Sequence, residues 1–472
     1  MKPAVWTAPR IVTIAILVVG WVATVLISWP GHLSYDSIVQ LHDGRTGFYH
    51  SWHPPVMAWL LGLGDALLSG TGLFLLLDTA LFFGSLLSLA VTAPRVSWAA
   101  AIVAGLIVVL PQTVLYQAII WKDVLFSDAA VAGFVCLAQA ALAWTNVRSR
   151  VVWLAAAFAL FVLAALTRQN GLIVLVLGAS ALALLAWRHS NKKTGVFYGI
   201  TSLIGATLVV FALSSALSVR SDGGEGPRAQ LRLLRLYDLV GAVAAQPGLP
   251  LDRLDNDDPE LERLIRSDGV RLYTPERNDT LVGSQALQNE LADAEPEWLA
   301  TQWYDVMLHH PWLYLKVRAQ VFGQVLFTPD IVGCRPVFVG VEGPAGEMSD
   351  LGLVPRKDAR DLALQAYAKG FMGTPVLSHV TYVLIAIGGI VVLLRRRSPG
   401  DIAMAVMPIA ALAFTMSFFV ISIACDYRYL YFLDLAAMTA AFYIALDPAY
   451  LFQVVAMWSG SFWVLRSDAR KS

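Results

Sequence analysis

Residues 54–70 read PPVMAWLLGLGDALLSG. The stretch is apolar enough to cross a bilayer, and whether it does decides on which side of it every later segment lies. If it crossed, each of the basic loops further along would change sides, against the rule that Lys and Arg stay in cytoplasmic loops. Asp65 inside the stretch and the pair Pro54-Pro55 at its start also argue against a crossing. Proline fits the first turn of a helix, where a missing N–H costs nothing. The reading is an interfacial helix that lies along the membrane surface.

The surrounding composition makes a membrane the relevant solvent. Of 472 residues, 57% are hydrophobic and only 14% charged, and the mean hydropathy is +0.63. A soluble globule carries about 25% charged residues, so this chain has too few polar groups to cover itself in water. Disorder, a fibrous repeat and a disulfide-stapled secreted domain are excluded with it. The expected fold is an all-α polytopic membrane protein.

A crossing takes about 20 apolar residues over roughly 30 Å of hydrocarbon. Spans are expected near 11–29, 72–93, 97–111, 124–144, 151–167, 171–187, 195–217, 376–394, 402–424, 429–446 and 449–465, about eleven in all. With Lys2 and Arg10 in the cytoplasm, the chain returns there at Arg95, at Arg148 and Arg150, at Arg188 with Lys192 and Lys193, and at Arg395, Arg396 and Arg397. Trp29 and Trp121 then fall at the outer interface, and Trp98, Trp144, Trp153 and Trp187 at the inner one. Arg outnumbers Lys 26 to 8 amid Ala, Leu, Val and Gly, the composition of a bacterial protein from a GC-rich genome. The expected location is therefore the plasma (inner) membrane of a bacterium.

Three blocks follow. Residues 1–218 form an N-terminal transmembrane module with its first external loop, 219–375 an extracytoplasmic block, and 376–472 the C-terminal helices. The middle block holds 16 Lys and Arg against 23 Asp and Glu, a balance of −7. It shows no basic patch with interleaved aromatics, so nucleic-acid binding has no support. Amphipathic stretches at 296–308 and 309–327, with Leu299, Trp303 and Met307 and then Trp312, Val317 and Val321, are expected as helices.

Charges collect at the outer ends of the spans. They are Asp36 and Asp43 after the first span, Lys122 and Asp123 at the head of the fourth, Arg168 after the fifth, and Asp426 with Arg428 before the tenth. The cations oppose the positive-inside bias and need another reason to be there. A carboxylate beside an incoming hydroxyl can act as general base, and Lys and Arg at a membrane boundary can hold a phosphate leaving group. Nucleotide sugars are not expected outside the cytoplasm, so an outward-facing transferase requires a lipid-borne donor. The implied chemistry is group transfer from a polyprenyl-phosphate carrier.

The segments SYDSIVQL, YHSWHPPVMAWLLGL, WKDVLF, TRQNGLIVL and CDYRYLYFLDL, in that order, resemble the C-type membrane glycosyltransferases. Within them the likeness is to the branch of protein mannosyltransferase-like, aminoarabinose-transferase-like and rhizobial galacturonosyltransferase-like enzymes. The resemblance implies a polyprenyl-phosphate sugar as donor, a lipid, glycan or protein as acceptor, and inversion at the sugar. It implies Asp36 as catalytic carboxylate and Asp123 as a second acidic residue near the acceptor or a metal. Lys122, Arg168 and Arg428 would bind the donor phosphate. Tyr35, His53, Asn170 and Asp426 would contact substrate or support those that do. Block 219–375 departs from the family and carries no residue-level transfer.

Plainer readings stand beside these. Asp36 follows Ser34 and could cap a helix. Lys122 and Asp123 could neutralise each other, and Arg428 could pair with Asp426 or Asp434. His50 and His53 with Asp43 are candidates for a divalent metal site, against ordinary solvated loop histidines. Cys334 and Cys425 both fall outside and could be bridged. An O-antigen ligase or polysaccharide polymerase would use His309, His310 and Arg318. A lipid-linked-sugar flippase would use deeper charges such as Asp78, Asp128 and Asp434.

Overall fold

A computed structural model describes residues 6–221, 225–329, 332–396 and 398–448. Among them no strand forms beyond isolated bridges, and the chain is a bundle of helices. The N-terminal part holds α1 (Ala8–Ser28), α2 (Tyr35–Thr46), α3 (Val56–Leu67), α4 (Gly72–Thr92) and α5 (Trp98–Val109). It continues through α6 (Lys122–Leu142), α7 (Val147–Thr167), α8 (Leu172–His189) and α9 (Lys192–Ser218). The middle block contributes α10 (Glu225–Ala245), α11 (Pro296–His309) and α12 (Pro311–Phe327), with shorter helices between. Last come α13 (His379–Arg396), α14 (Asp401–Ile421) and α15 (Tyr431–Leu446).

Nine helices among the described residues are long and apolar enough to cross a membrane, ten if one bent pair is a single span. The bent pair corrects the expected span at 97–111. Its first helix stops at Val109 and the chain resumes at Pro111 after a bend of 61°. Proline disfavours helical geometry in the residue before it, and Leu110 is accordingly extended. The expected span at 449–465 lies outside the described residues. The stretch at 54–70 forms α3, only 12 residues long with Pro55 at its start, and packs on α2.

The two helices nearest the site, α6 and α15, are the buried centre of the bundle. Small residues make that close packing achievable. A Cβ on Gly133 would meet the Phe161 ring at 2.6 Å. At one end of the bundle the basic segments gather. Arg10 donates to the Ala93 carbonyl, Ser97 to the Ala445 carbonyl at 2.8 Å, and Arg396 pairs with Asp401 at 2.6 Å. Arg150 lies over Trp144, which stacks on His189. A helix of 21 residues rises about 30 Å, and at its other end stand Asp36, Lys122, Arg168 and Arg428.

The middle block has its own core, in which Leu236, Tyr237 and Val240 of α10 pack with Leu299 and Val306 of α11 and Val321 of α12. Trp312 departs from the expected pattern and is 82% exposed.

Candidate active site

Short backbone stitches fix the site before any side chain does. His32 N–H donates to the Ala118 carbonyl at 2.9 Å, and Ile120 N–H returns to the His32 carbonyl at 3.0 Å. On the other flank Leu33 N–H donates to Gly340 and Glu342 N–H to Leu33, both at 2.9 Å. The segment entering α2 is thus clamped between the segment entering α6 and residues 340–342 of the middle block. Ser34 begins α2, its N–H donating to the Ser37 hydroxyl at 3.1 Å. The serines do the capping, and Asp36 is left free to face the bundle end.

The Asp36 carboxylate accepts from Arg428 Nη1 at 2.6 Å, and its other oxygen lies 3.6 Å from His53 Nε2. His53 Nδ1 in turn meets Lys122 Nζ at 2.7 Å. An ammonium can only donate, so His53 presents its Nε2–H to Asp36. Successive helix residues point about 100° apart, which separates Lys122 from its neighbour. Asp123 turns to form an ion pair with Arg168 and lies 3.8 Å from Arg428 Nε. Lys122 and Asp123 therefore do not neutralise each other; each faces a different partner.

Arg428 sits in a short turn, Tyr427–Leu430, before α15. Besides Asp36 it holds Asp426 at 3.0 Å and lies over the Trp121 ring at 4.9 Å. Trp121 was expected at the lipid interface. It is buried instead, because its indole N–H donates to the Ser34 hydroxyl at 2.6 Å. Arg168 is enclosed by the rings of Phe414, Phe418 and Tyr429 at 5.3 to 5.7 Å. Asp426 also faces Arg277 at 3.4 Å, while Asp434, two turns on, pairs with His379 at 2.9 Å and not with Arg428. Asn170 is apart from this group, its amide donating to Ser417 at 2.9 Å. Tyr35 is exposed at the rim of a small cleft lined also by Ser34, Asp36, Trp121, Arg335, Asp426 and Arg428.

Burial alone would raise the Asp36 pKa, but Arg428 first, then His53 and Lys122, outweigh it and hold the carboxyl well below its ordinary value. His53 is shifted down, chiefly by burial and next by Lys122, against the pull of Asp36. Near neutrality the site therefore combines an ionised carboxylate with a neutral imidazole. Such a carboxylate can take a proton, and the guanidinium beside it can hold a phosphate.

The metal candidates separate. Asp43 pairs with His50 at 2.7 Å, whereas His53 is committed to Lys122 and Asp36. Two donors with a third turned onto an ammonium do not fit a divalent ion, and no group of three or more such donors occurs among the described residues. Arg318 is buried against Asp238 at 2.9 Å and donates to carbonyls at the end of α14. His309 is exposed beside Asp305. These residues do not meet in a site. Of the deeper carboxyls, Asp128 accepts from Gln117 at 2.7 Å, and Asp78 is buried without a hydrogen-bond partner among the described residues.

Cys334 and Cys425 are joined by a disulfide across 91 residues. This bond brings in Arg335, which sequence reasoning missed although it follows a cysteine whose partner precedes Asp426. Arg277, Trp121 and Tyr429 were missed as site residues as well. Arg277 carried no local signal, since its approach depends on how the middle block folds back.

No family model and no curated protein matches the chain. Solved structures do. One is the oligosaccharyltransferase of Archaeoglobus fulgidus with zinc and sulfate, at 14% identity and a TM-score of 0.41, covering 96% of this chain and 51% of that one. A second is the same organism's AglB in complex with an inhibitory peptide and a dolichol-phosphate, at 13% identity and a TM-score of 0.39, covering 94% and 51%. A third is apo ArnT from Cupriavidus metallidurans, at 15% identity and a TM-score of 0.35, covering 92% and 75%. The chain spans about half the length of the oligosaccharyltransferases it matches.

Proposed function

We propose that the protein is a C-type membrane glycosyltransferase that moves a sugar from a polyprenyl-phosphate donor to an acceptor at the extracytoplasmic face. The observation that carries this is the contact of Asp36 with Arg428, backed by Asp123 and Arg168, at the bundle end opposite the basic segments. That end would face out of the cytoplasm by the positive-inside rule.

In this reading the acceptor hydroxyl attacks the anomeric carbon while its proton passes to an Asp36 oxygen. The bond from that carbon to the phosphate oxygen breaks, and polyprenyl phosphate leaves with the electron pair. Arg428 links the two events. Paired with Asp36 it makes that carboxylate a weak base; drawn to the donor phosphate it would release the carboxylate and raise its basicity. Donor binding would thus arm the base. Asp123 holds Arg168 and Arg428 in register, and Lys122 orients His53 towards Asp36. Attack from the face opposite the phosphate gives inversion.

Purified protein incubated with a panel of polyprenyl-phosphate sugars should release the lipid phosphate from at least one. Absence of release across the panel, with a range of lipid, glycan and peptide acceptors supplied, would remove the proposal.

A further inference from the structure

The cleft contains a cation that the proposed chemistry does not use. Arg335 lines it together with Asp36, Asp426 and Arg428, and its side chain is exposed. Among the described residues the structure records no ion pair for it, whereas Arg428 and Arg168 are each matched by a carboxylate.

Its backbone, by contrast, is pinned. Cys334 is bonded to Cys425, and Tyr427 N–H donates to the Cys334 carbonyl at 2.8 Å. The Tyr116 hydroxyl donates to the Arg335 carbonyl at 2.9 Å, and Arg277 donates to the carbonyl of Gly333. Arg335 itself has φ +46°, a left-handed conformation that costs a side-chain-bearing residue free energy. Chain held in a disfavoured conformation by surrounding contacts is a marker of a functional position.

We infer that Arg335 is the receptor that captures the donor's phosphate before Arg428 engages it. This rests on the proposed function and adds a residue to it. The two carboxylates of the cleft, Asp36 and Asp426, oppose an incoming anion, and Arg428 is already shared between them. An unpaired guanidinium at the mouth reverses that balance and can offer a phosphate two parallel hydrogen bonds. Charge-assisted bonds of this kind correspond to roughly tenfold or more in affinity.

The test uses the full chain in lipid nanodiscs and three probes: a polyprenyl monophosphate, the uncharged polyprenol of the same length, and inorganic phosphate. Wild type should bind the lipid phosphate well above the polyprenol. Arg335→Ala should weaken lipid-phosphate binding at least tenfold and leave polyprenol binding unchanged, and Arg335→Lys should restore part of the loss. Arg335→Gly, which relieves the left-handed backbone while deleting the guanidinium, should behave as the alanine variant and guards against misfolding. Unchanged binding in both deletions, with wild type preferring the lipid phosphate, overturns the role of Arg335 alone. A wild type that binds phosphate and polyprenol forms equally overturns the donor assignment beneath it. Displacement by inorganic phosphate as effective as by the lipid phosphate would assign the cleft to a free anion and overturn both.

Discussion

Asp36→Asn separates two jobs that the structure gives one carboxylate. Asparagine keeps the shape but loses the charge that meets Arg428 at 2.6 Å and can no longer take a proton. General-base assistance contributes typically 10²- to 10⁴-fold, or about 3–5 kcal/mol of barrier, so turnover at saturating donor should fall by that range. Binding should move the other way. In wild type a donor phosphate competes with Asp36 for Arg428, and a charged hydrogen bond of this kind is worth about 1.5–3 kcal/mol. With the competitor neutralised, affinity for a polyprenyl phosphate should stay level or rise, by up to about a hundredfold. The assay is turnover of purified variant in nanodiscs, paired with equilibrium binding of the lipid phosphate and a thermal melt. Turnover above a tenth of wild type would refute the base role. A parallel loss of binding and turnover would refute the exchange of Arg428 between carboxylate and phosphate.

Three further outcomes are expected. His32 is pushed down to about 4, by burial first, with Asp361 opposing and Arg356 assisting the drop. The unfolded chain therefore takes up a proton that the folded one refuses, and stability falls as pH drops from about 6.5 towards 4, by about 3 kcal/mol. In His32→Asn, whose amide oxygen can replace Nδ1 as acceptor of the Gly340 N–H, the thermal midpoint should change less over that range; an equal slope would exclude His32 as the source. Gly44→Ala would place a Cβ 2.7 Å from the Gly62 nitrogen and against the Ala58 carbonyl, forcing α2 off α3. Overpacking of this kind costs about 1–3 kcal/mol, so the melt should drop and turnover should drop with it, since α2 carries Asp36. Replacing Cys334 and Cys425 by serine opens a 91-residue loop, worth about 4.6 kcal/mol of stability in the chain-entropy treatment; peptide masses that do not change on reduction of wild type would show that the bridge is absent.

The positions of the helices were legible because hydropathy is local. Each span from 11–29 to 429–446 has a helical counterpart within a few residues, and only at 97–111 does a proline, Pro111, break the helix inside the expected range. The grouping of charges was legible too. Arg10, Arg150 and Arg396 stand at one bundle end and Asp36, Arg168 and Arg428 at the other. The charge set of the cleft was largely visible, since cations at the outer ends of spans have no reason in the orientation bias.

The partners were not visible. Lys122 and Asp123 are adjacent in sequence and diverge in space, while Asp36 and Arg428 lie 392 residues apart and touch. Helix periodicity says which way a side chain leaves its own axis, but not which axis stands opposite, because that depends on how the whole bundle closes. The same holds for Cys334 and Cys425, for the burial of Trp121 under Ser34, and for the arrival of Arg335 at the cleft. The order of residues determined a helical membrane bundle and the end at which its charges gather; only the closed tertiary structure decided which carboxylate restrains which cation and which cation is left unmatched.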